Sequence, residues 1–412
     1  MDGSEVLPVG RRVAYWRGRR RLSQQVFADR LGKSKSWVDK VERGVRTLDK
    51  VSTLQDIAGV LRIDTSVLLG REVPPAEVGG QVVGVERVRE ALSRYDVVVG
   101  RRAARGQAVP ADRLARDVTL AWTAFQHARY PQVTGMLPEL LASAQRSHAG
   151  DPDSMNPSTA NFAAPVGRSV LVQAYRLTAS LLVKLGETEL AWLAADRAMT
   201  TATGDVVLVA AATVPLAQVL RASGRARTAR STALAAAYRI APPDLDGAPA
   251  PGLSLCGTLV VQAALAAARD GDDRATVDLL DEAAGMAALV GDGHDHHRTA
   301  FGPVAVDLAR VATALDLGHA GEAVAWHEKT TARDAWRWLP AEHRAAHLLD
   351  AARAYLHTGD PGNAGRALLA AERTAPGEVR HRPTARAVIA RLVHDPHAPA
   401  AIIQLAAALE VA

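Results

Sequence analysis

The sequence predicts an all-α protein in which a small cationic unit precedes a long series of helical hairpins. Aromatic residues make up only 4% of the 412 residues, so Ala, Leu and Val must fill most of any core. Such small residues allow helices to approach closely, and the runs of β-branched residues that favour sheets are scarce. Over most of the chain, Ala, Leu and Arg recur at spacings of three and four residues between glycines. That spacing is the period of amphipathic helices.

The positive charge of the chain is concentrated at its start. Residues 1–70 contain 14 Lys and Arg against 8 Asp and Glu, whereas residues 71–412 are nearly balanced, with 35 basic and 36 acidic residues. Four of the six lysines lie in the first fifty residues, at Lys33, Lys35, Lys40 and Lys50. A local cationic surface usually binds a polyanion, which is either nucleic acid or an acidic membrane.

The segment LSQQVFADRLGKSKSWVDKVERG, residues 22–44, predicts two short helices joined by a tight turn. Ser23 and Ser34 can each cap a helix, and Gly32 can end the first helix in a left-handed turn. In the second helix Val38 and Val41 share an apolar face. The opposite face carries Lys35, Ser36 and Lys40. Two short helices with such a turn form a helix-turn-helix.

From about Gly10 to Leu69 the sequence resembles the XRE family of bacterial transcription regulators, whose helix-turn-helix is of the Cro and lambda-repressor type. The tracts that carry the resemblance are YWRGRRRLSQ, VDKVERG, KVSTLQDIAGVLRI and LRIDTSVLLG. The resemblance implies a five-helix DNA-binding domain over residues 1–70, in which Arg17 and Glu42 form a fold-clamping pair. It places base-reading residues at Lys35, Ser36 and Lys40, and phosphate contacts at Gln24, Ser34, Trp37, Arg43 and Arg46.

The residue chemistry supports a DNA-reading helix independently of the resemblance. The major groove admits one helix, and Lys prefers the acceptor atoms of guanine there. Arg and Lys beside that helix can neutralise phosphates without reading sequence. Asp39 can accept from cytosine or pair with Lys35 or Arg43, and we favour the pairing. The arginines of RGRRR, residues 17–21, either contact DNA or form a solvated helix face.

Behind the first 70 residues the sequence predicts a linker and then continuous helix. Residues 71–83, REVPPAEVGGQVV, indicate a linker or a corner between helices, because paired prolines and paired glycines break regular structure. Residues 84–164 are expected to form a helical connector or a divergent repeat, with a loop at 150–167. Residues 396–412 are expected to form a C-terminal helix.

Five segments within residues 165–395 each place a glycine between two predicted helices, at Gly186, Gly224, Gly271, Gly318 and Gly359. Five positions later a small residue lets the two helices touch; these residues are Ala191, Ala229, Thr276, Ala323 and Ala364. The pattern resembles the tetratricopeptide repeat, most clearly in LLDAARAYLHTGDPGNAGRALLAAERTAP. The resemblance implies a TPR-like α-solenoid over residues 165–395.

A solenoid of this kind presents a concave surface to a partner, so the repeats are expected to dimerise the protein and to sense an effector. A body that only dimerises is the alternative. Two aromatic residues are candidates for the effector site. Phe301 lies in TAFGP, which resembles a segment of repeat-bearing relatives of this regulator class; the resemblance implies that Phe301 either packs the loop against the solenoid or lines its pocket. Trp326 could line a groove for an apolar ligand, and core packing is its default role.

Other chemistry-bearing residues do not form a recognisable site. His294, Asp295, His296 and His297 are consecutive, whereas metal ligands need spaced positions, so we expect a loop and no metal. Cys256 lies in an apolar helix and is expected to be buried. The chain has no Walker-type phosphate loop and no GxSxG turn. We therefore expect no enzymatic activity and no cofactor.

The sequence also predicts a cytoplasmic location without membrane contact. The start, MDGSEVLPVGRR, lacks the apolar core of a signal peptide. The apolar run that begins at Val206 is interrupted by Thr213, Pro215 and Gln218, and it is shorter than the roughly 20 residues that span a bilayer.

The complete sequence thus predicts a homodimeric regulator that binds double-stranded DNA. Several bacterial peptide-pheromone receptors share this layout, and the resemblance implies that an effector controls the DNA-binding domain. The effector is expected to be a peptide, a small molecule or a protein. Because one recognition helix covers few base pairs, we expect two half-sites about one helical turn (~34 Å) apart. The alternative function is a TPR scaffold or antitoxin-like module that holds another protein and binds DNA only for autoregulation.

Overall fold

The structure, a computed structural model, describes residues 9–19, 22–46, 48, 53, 56–57, 60–61, 77–94, 109–149 and 166–411. The chain divides into two compact units, Met1–Gly80 and Gln81–Ala412. In the described residues all regular structure is helical, which confirms the predicted all-α fold.

The first unit contains the two predicted short helices and the helix that precedes them: α1 (Val9–Arg19), α2 (Gln24–Leu31) and α3 (Lys35–Glu42). Ser23 Oγ accepts from the Val26 amide, and Ser34 Oγ accepts from the Trp37 amide, each at 3.2 Å. Gly32 ends α2 with a φ of +63°. The capping pattern of the sequence is therefore present.

The core of the first unit is small and fully buried. Its buried side chains come from α1, α2 and α3 and from part of the predicted fourth helix; they are Val13, Phe27, Ala28, Val38, Ile57 and Leu61. Of that fourth helix, residues 53, 56–57 and 60–61 are described and are helical. The rest of it, and the predicted fifth helix beyond residue 61, lie outside the described residues.

Gly10 allows α1 to lie directly against α3. A Cβ at Gly10 would overlap the carbonyl oxygen of Val41, whereas a Cβ at Gly18 on the same helix would meet nothing within 4 Å. The absence of a side chain at Gly10 is therefore a packing requirement.

The second unit begins with three helices before the hairpins: α4 (Glu77–Leu92), which starts at the end of the first unit, α5 (Ala111–Gln126) and α6 (Tyr130–Ala149). The segment 71–83, expected to be a linker or a corner between helices, is helical from Glu77 onward; residues 71–76 lie outside the described residues. A glycine inside a helix costs only about 1 kcal/mol relative to Ala, so Gly79 and Gly80 weaken this helix without breaking it. Gly84 has a packing role, because a Cβ there would lie 3.0 Å from Thr134 Oγ1.

Five helical hairpins follow, as the spacing of glycines predicts. They are α7 and α8 (Val166–Leu185, Thr188–Ala202), α9 and α10 (Val206–Ala222, Ala226–Ile240), α11 and α12 (Ala250–Arg269, Asp273–Val290), α13 and α14 (Pro303–Asp316, Ala320–Thr331), and α15 and α16 (Ala341–His357, Pro361–Thr374).

The turn glycines and the small residues after them have the expected roles. All five glycines adopt a left-handed φ between +73° and +85°, at Gly186, Gly224, Gly271, Gly318 and Gly359. A residue with a Cβ would be strained in that conformation. The residues five positions later are buried, at Ala191, Ala229, Thr276, Ala323 and Ala364. Each hairpin therefore closes around a small side chain.

The last helices are α17 (Pro376–Arg380), α18 (Pro383–Leu392) and α19 (Ala401–Ala408). The first residues of α17 and α18 return to the first elements of the second unit. A Cβ at Gly377 would overlap the carbonyl oxygen of Ala128, which follows α5. A Cβ at Gly186, after α7, would lie 3.0 Å from Pro383. The solenoid of the second unit is thus closed rather than open-ended.

A buried ionic network lies at this closure. Glu378 is fully buried, and its two carboxylate oxygens accept from Lys184 Nζ at 2.7 Å and from Arg382 Nη1 at 2.6 Å. The Tyr130 hydroxyl also donates to Glu378, and Glu342 pairs with Lys184. Burial opposes ionisation of Glu378, but Lys184 and Arg382 overcome it and lower the pKa of this carboxyl to about 2. The network joins α6 and α7 to α15, α17 and α18.

Among the described residues, one helix is long and apolar enough to cross a membrane, namely α11. Within the second unit 78% of its most apolar window is buried, as expected for a core helix. The apolar run that begins at Val206 forms α9, which is shorter.

Replacing Gly10 with Ala should destabilise the first unit by about 1–3 kcal/mol, because the added methyl group overpacks the contact between α1 and α3. Gly18→Ala is the matched control, and it should stabilise α1 by roughly 0.5–1 kcal/mol. Hydrogen–deuterium exchange of peptides from α1 to α3, measured in the full chain, reports both changes. Equal protection in the two variants would contradict the close approach.

Replacing Glu378 with Gln should lower the free energy of unfolding of the second unit by about 3–5 kcal/mol, because it leaves Arg382 without its buried counter-charge and Lys184 with Glu342 alone. Urea unfolding followed by circular dichroism measures the loss. The control is Glu189→Gln, at an exposed position on α8, which should change stability by less than about 0.5 kcal/mol. If both variants unfold at the same urea concentration, the closure does not depend on the network.

Candidate functional site

The predicted reading face of α3 is exposed, and its opposite face is buried. Val38 and Val41 are buried in the core of the first unit. Lys35, Ser36 and Lys40 are exposed to solvent. The N-cap at Ser34 and the turn at Gly32 set where α3 begins, so the helix projects two ammonium groups and a hydroxyl from one side. Such groups can donate to base edges in a major groove.

The predicted clamping pair of Arg17 and Glu42 is present. Arg17 Nε and Nη2 donate to the two carboxylate oxygens of Glu42 at 2.5 and 3.1 Å, and Glu42 is buried. Arg17 Nη1 also donates to the carbonyl oxygen of Leu22 at 2.6 Å. These bonds join α1, the segment before α2 and the end of α3.

Gln24 belongs to the same cluster, which the sequence did not reveal. Its side-chain nitrogen donates to Glu42 Oε2 at 2.8 Å. The sequence predicts that Gln24 contacts a DNA phosphate. In the structure its side-chain amide is hydrogen-bonded to Glu42.

The other predicted phosphate-contacting residues lie around α3. Trp37 is half-buried, and the Arg46 guanidinium lies 5.9 Å from the centroid of its ring. Arg43 is exposed and pairs with Asp39 at 3.5 Å, so Asp39 has the intramolecular partner that we favoured. Ser34 Oγ already accepts from a backbone amide, but its hydroxyl hydrogen can still donate.

A second candidate site is a cavity of about 340 Å³ inside the second unit. The first helix of every hairpin contributes one face to it, at positions three or four residues apart; on α11 these are Thr258, Val261, Gln262 and Leu265. Phe301 lines this cavity, whereas Trp326 lies on the outer helix α14 beside Lys329 and Arg310. Of the two aromatic candidates, only Phe301 reaches the cavity.

The cavity is lined by an excess of positive charge. The lining cations are Arg176, Lys184, Arg221, Arg298 and Arg382, and the lining carboxylates are Glu342 and Asp350. Both carboxylates are paired, Glu342 with Lys184 and Asp350 with Arg353 at 3.0 Å. Within the described part of the chain, Arg176 and Arg221 have no carboxylate partner.

Arg176 is the most unusual of these cations because only 2% of it is exposed. It donates to Gln173 Oε1 at 2.9 Å and to the carbonyl oxygen of His297 at 3.0 Å, and its Nε has no partner among the described residues. Burial, together with the nearby Arg298, lowers the pKa of Arg176 to about 10. Sequence reasoning missed Arg176, although it is the single charged residue between Arg168 and Lys184.

The loop of residues 291–302, which contains the histidine cluster, forms one wall of the cavity. His297, Arg298 and Ala300 have positive φ values of 53°, 62° and 46°. Such conformations cost residues with a side chain of order 1 kcal/mol each or more. Asp295 holds the loop by accepting from the Ala300 amide at 3.1 Å and from Gln126 Nε2 at 2.8 Å.

Phe301 packs into this wall against Gly257 of α11, which has no side chain. A Cβ at Gly257 would overlap the Phe301 ring. The rings of His294 and His296 stack with centroids 5.4 Å apart on the loop. Within the described ranges, no three His, Cys, Asp or Glu side chains are grouped so that they could hold a metal ion.

Two buried histidines support the wall formed by α15. His327 Nδ1 and His347 Nε2 are 2.9 Å apart, and the Trp336 ring packs against His347. Burial, with a smaller contribution from His327, lowers the pKa of His347 to about 3. Burial also lowers the pKa of His327. Both rings are therefore neutral in the folded protein at physiological pH.

His347 should make stability depend on pH. In the unfolded chain His takes up a proton below pH ~6.5, whereas folded His347 does not until about pH 3, so stability is lost as pH falls below 6.5. Between pH 7.5 and 5.0 the loss from His347 should be about 2 kcal/mol. His347→Gln should remove that part of the slope in urea unfolding, and His357→Gln, at an exposed position on α15, should keep it. Identical slopes in both variants would contradict a neutral buried His347.

Comparison with known proteins identifies the first unit. Residues 8–68 match the family described as helix-turn-helix domain. No curated protein matches the chain. Among solved structures, the chain is similar to the crystal structure of Bacillus thuringiensis PlcR in complex with the peptide PapR7 and DNA, with 13% sequence identity, a TM-score of 0.36, and coverage of 78% of this chain and 92% of that chain.

A TM-score of 0.36 does not establish a shared fold. The hairpin fold is established by the helices of this chain. The family match covers the segment that contains the capped helices α2 and α3 and the clamping pair. The first unit of this chain therefore contains a helix-turn-helix domain, the DNA-binding type found in regulators of transcription.

Proposed function

We propose that the protein is a sequence-specific regulator of transcription whose second unit controls DNA binding in response to an effector. The observation that carries the DNA-binding part is α3, which turns Lys35, Ser36 and Lys40 to solvent while Val38 and Val41 hold it on the core. The family match of residues 8–68 supports the same role. Acting on chromosomal DNA, such a protein works in the bacterial cytoplasm.

The protein acts as a homodimer in this proposal. One recognition helix contacts only a few base pairs, so high specific affinity requires two half-sites, about 34 Å apart along the duplex. The effector then acts by binding more tightly to one arrangement of the two DNA-binding domains of the dimer than to another.

The cavity of the second unit supports an effector rather than a protein held as cargo. Its volume of about 340 Å³ lies at the small end of the roughly 300–1,000 Å³ range of ligand pockets. Glu378 and its partners close the solenoid beside this space, and a folded protein does not fit into a volume of about 340 Å³. A scaffold or antitoxin-like protein would have to use other surfaces.

The DNA-binding proposal is tested with duplexes selected from a random library by the full chain. Lys35→Ala and Lys40→Ala should each weaken binding to the selected sequence by about 1–3 kcal/mol and relax base preference. Arg43→Ala should weaken all sequences alike and lower the salt slope by about one. Fluorescence anisotropy at several salt concentrations measures affinity, preference and slope.

Lys329→Ala is the matched control, since it removes the same charge from the second unit. It should leave affinity and base preference unchanged. If Lys35→Ala and Lys40→Ala behave like this control, α3 is not the reading helix.

A further inference from the structure

Two buried hydrogen-bond donors on the wall of the cavity have no acceptor in the described structure. They are Arg176 Nε and Trp122 Nε1. Only 2% of Arg176 and 4% of Trp122 are exposed. Leaving such a donor unsatisfied costs about 1–3 kcal/mol, and more when the group is charged. Most buried polar groups in proteins have partners, so two orphan donors on one cavity wall call for an explanation.

The two donors belong to one cluster. The Arg176 guanidinium lies 5.7 Å from the centroid of the Trp122 indole ring, so both groups meet at the same end of the cavity. Arg176 arises from α7, and Trp122 arises from α5. Both residues line the cavity, so an acceptor placed at this end lies beside the guanidinium and the indole.

The charge at this end requires a negative acceptor. Arg298 lies close enough to Arg176 to lower its pKa, and Asp295, the carboxylate nearest to both, is 3.5 Å from Arg298 and already holds the 291–302 loop. Arg221, farther along the wall, donates to the neutral Gln262 at 3.2 Å. Arg298 and Arg382 are thus balanced by Asp295 and Glu378, whereas Arg176 has no carboxylate within salt-bridge distance among the described residues.

The remaining walls of the cavity are largely apolar and favour a ligand with an apolar body. Side chains without polar atoms form much of the lining, including Phe125, Val183, Val214, Val261, Phe301 and Leu308. The volume of about 340 Å³ equals roughly eleven water volumes of ~30 Å³ each, so it accommodates on the order of ten to fifteen non-hydrogen atoms. A molecule of that size can place one acidic group beside Arg176 and fill the remaining space with an apolar body.

We propose that the cavity binds a small amphipathic carboxylate, whose carboxylate group accepts from Arg176 and the Trp122 indole and whose apolar body fills the space toward Phe301 and Leu308. This proposal rests on the proposed function in that it names the chemical class of the effector. Arg favours a carboxylate because its guanidinium offers parallel donors in a plane. The apolar walls then select for length and shape.

Straight-chain alkanoates from butanoate to dodecanoate are the probes, titrated into the full chain without DNA in a calorimeter. Affinity should rise about fourfold per methylene, which corresponds to ~0.8 kcal/mol, and should stop rising when the cavity is full at about ten carbons. The 1-alkanols of equal length should bind at least tenfold more weakly, because they lack the charge. Inorganic phosphate is the second control.

Arg176→Met keeps the length of the side chain and removes its charge and donors. It should weaken octanoate binding about 10- to 100-fold, as expected for a hydrogen bond to a charged group. Without ligand the variant loses a buried charge and also the hydrogen bonds to Gln173 and to the His297 carbonyl, so its folding is checked by its melting temperature. A residue that served only the fold would change the melting temperature without changing octanoate affinity in the folded variant.

Trp122→Phe removes only the indole donor and should weaken octanoate binding about 2- to 10-fold. The matched controls are Arg274→Met and Trp192→Phe, which make the same changes on the outer helices α12 and α8. Arg274 has 93% of its side chain exposed, and 38% of Trp192 is exposed. Both controls should bind octanoate like the parent. If Arg176→Met does not fold, Trp122→Phe decides the test.

The proposal is overturned if no alkanoate binds saturably at millimolar concentration, or if Arg176→Met and Trp122→Phe bind octanoate like the parent. Binding of phosphate that depends on Arg176, without any gain from chain length, also overturns it. DNA affinity is measured separately. One result separates the two proposals: octanoate binds in a manner that depends on Arg176, but duplex affinity does not change. That result would contradict control of DNA binding by an effector, and it would still support the carboxylate site in the cavity.

Discussion

The fully buried carboxylate of Glu378 is the interaction on which the second unit depends. An ionised group in the interior costs several kcal/mol unless it is paired and hydrogen-bonded, so Lys184, Arg382 and Tyr130 must all converge on it. These residues come from the start and the end of the unit. Their convergence closes the solenoid, and the closure creates the internal space lined by the first helix of each hairpin.

The polar groups inside the second unit fall into two kinds. Around Glu378, each charge meets an opposite charge, and α6, α7, α15, α17 and α18 are held together. Arg176 and Trp122, by contrast, have donors without acceptors, beside a loop whose backbone is strained at His297 and Arg298. Unsatisfied donors and strained backbone reduce stability, and proteins tend to retain both where a ligand binds.

Features determined by local sequence could be predicted, whereas those determined by distant contacts could not. The caps at Ser23 and Ser34, the end of α2 at Gly32 and the hairpin turns depend on a few neighbouring residues, so their patterns were readable. The clamp of Arg17 and Glu42 was available only through the family resemblance. The closure at Glu378 and the cavity join residues more than a hundred positions apart, and no local pattern encodes such pairings. The helix over Gly79 and Gly80 was not predicted, because paired glycines lower helix propensity without excluding a helix.

Closure also restricts how this chain can change in length. In an open solenoid each repeat contacts only its neighbours, so gene duplication can add a copy at little cost. Here an additional hairpin would rotate α17 and α18 away from α6 and α7, and Glu378 would lose its partners across the gap. The contacts that close the solenoid therefore fix the number of hairpins. The length of the chain can vary only in the loops between hairpins, such as residues 241–249.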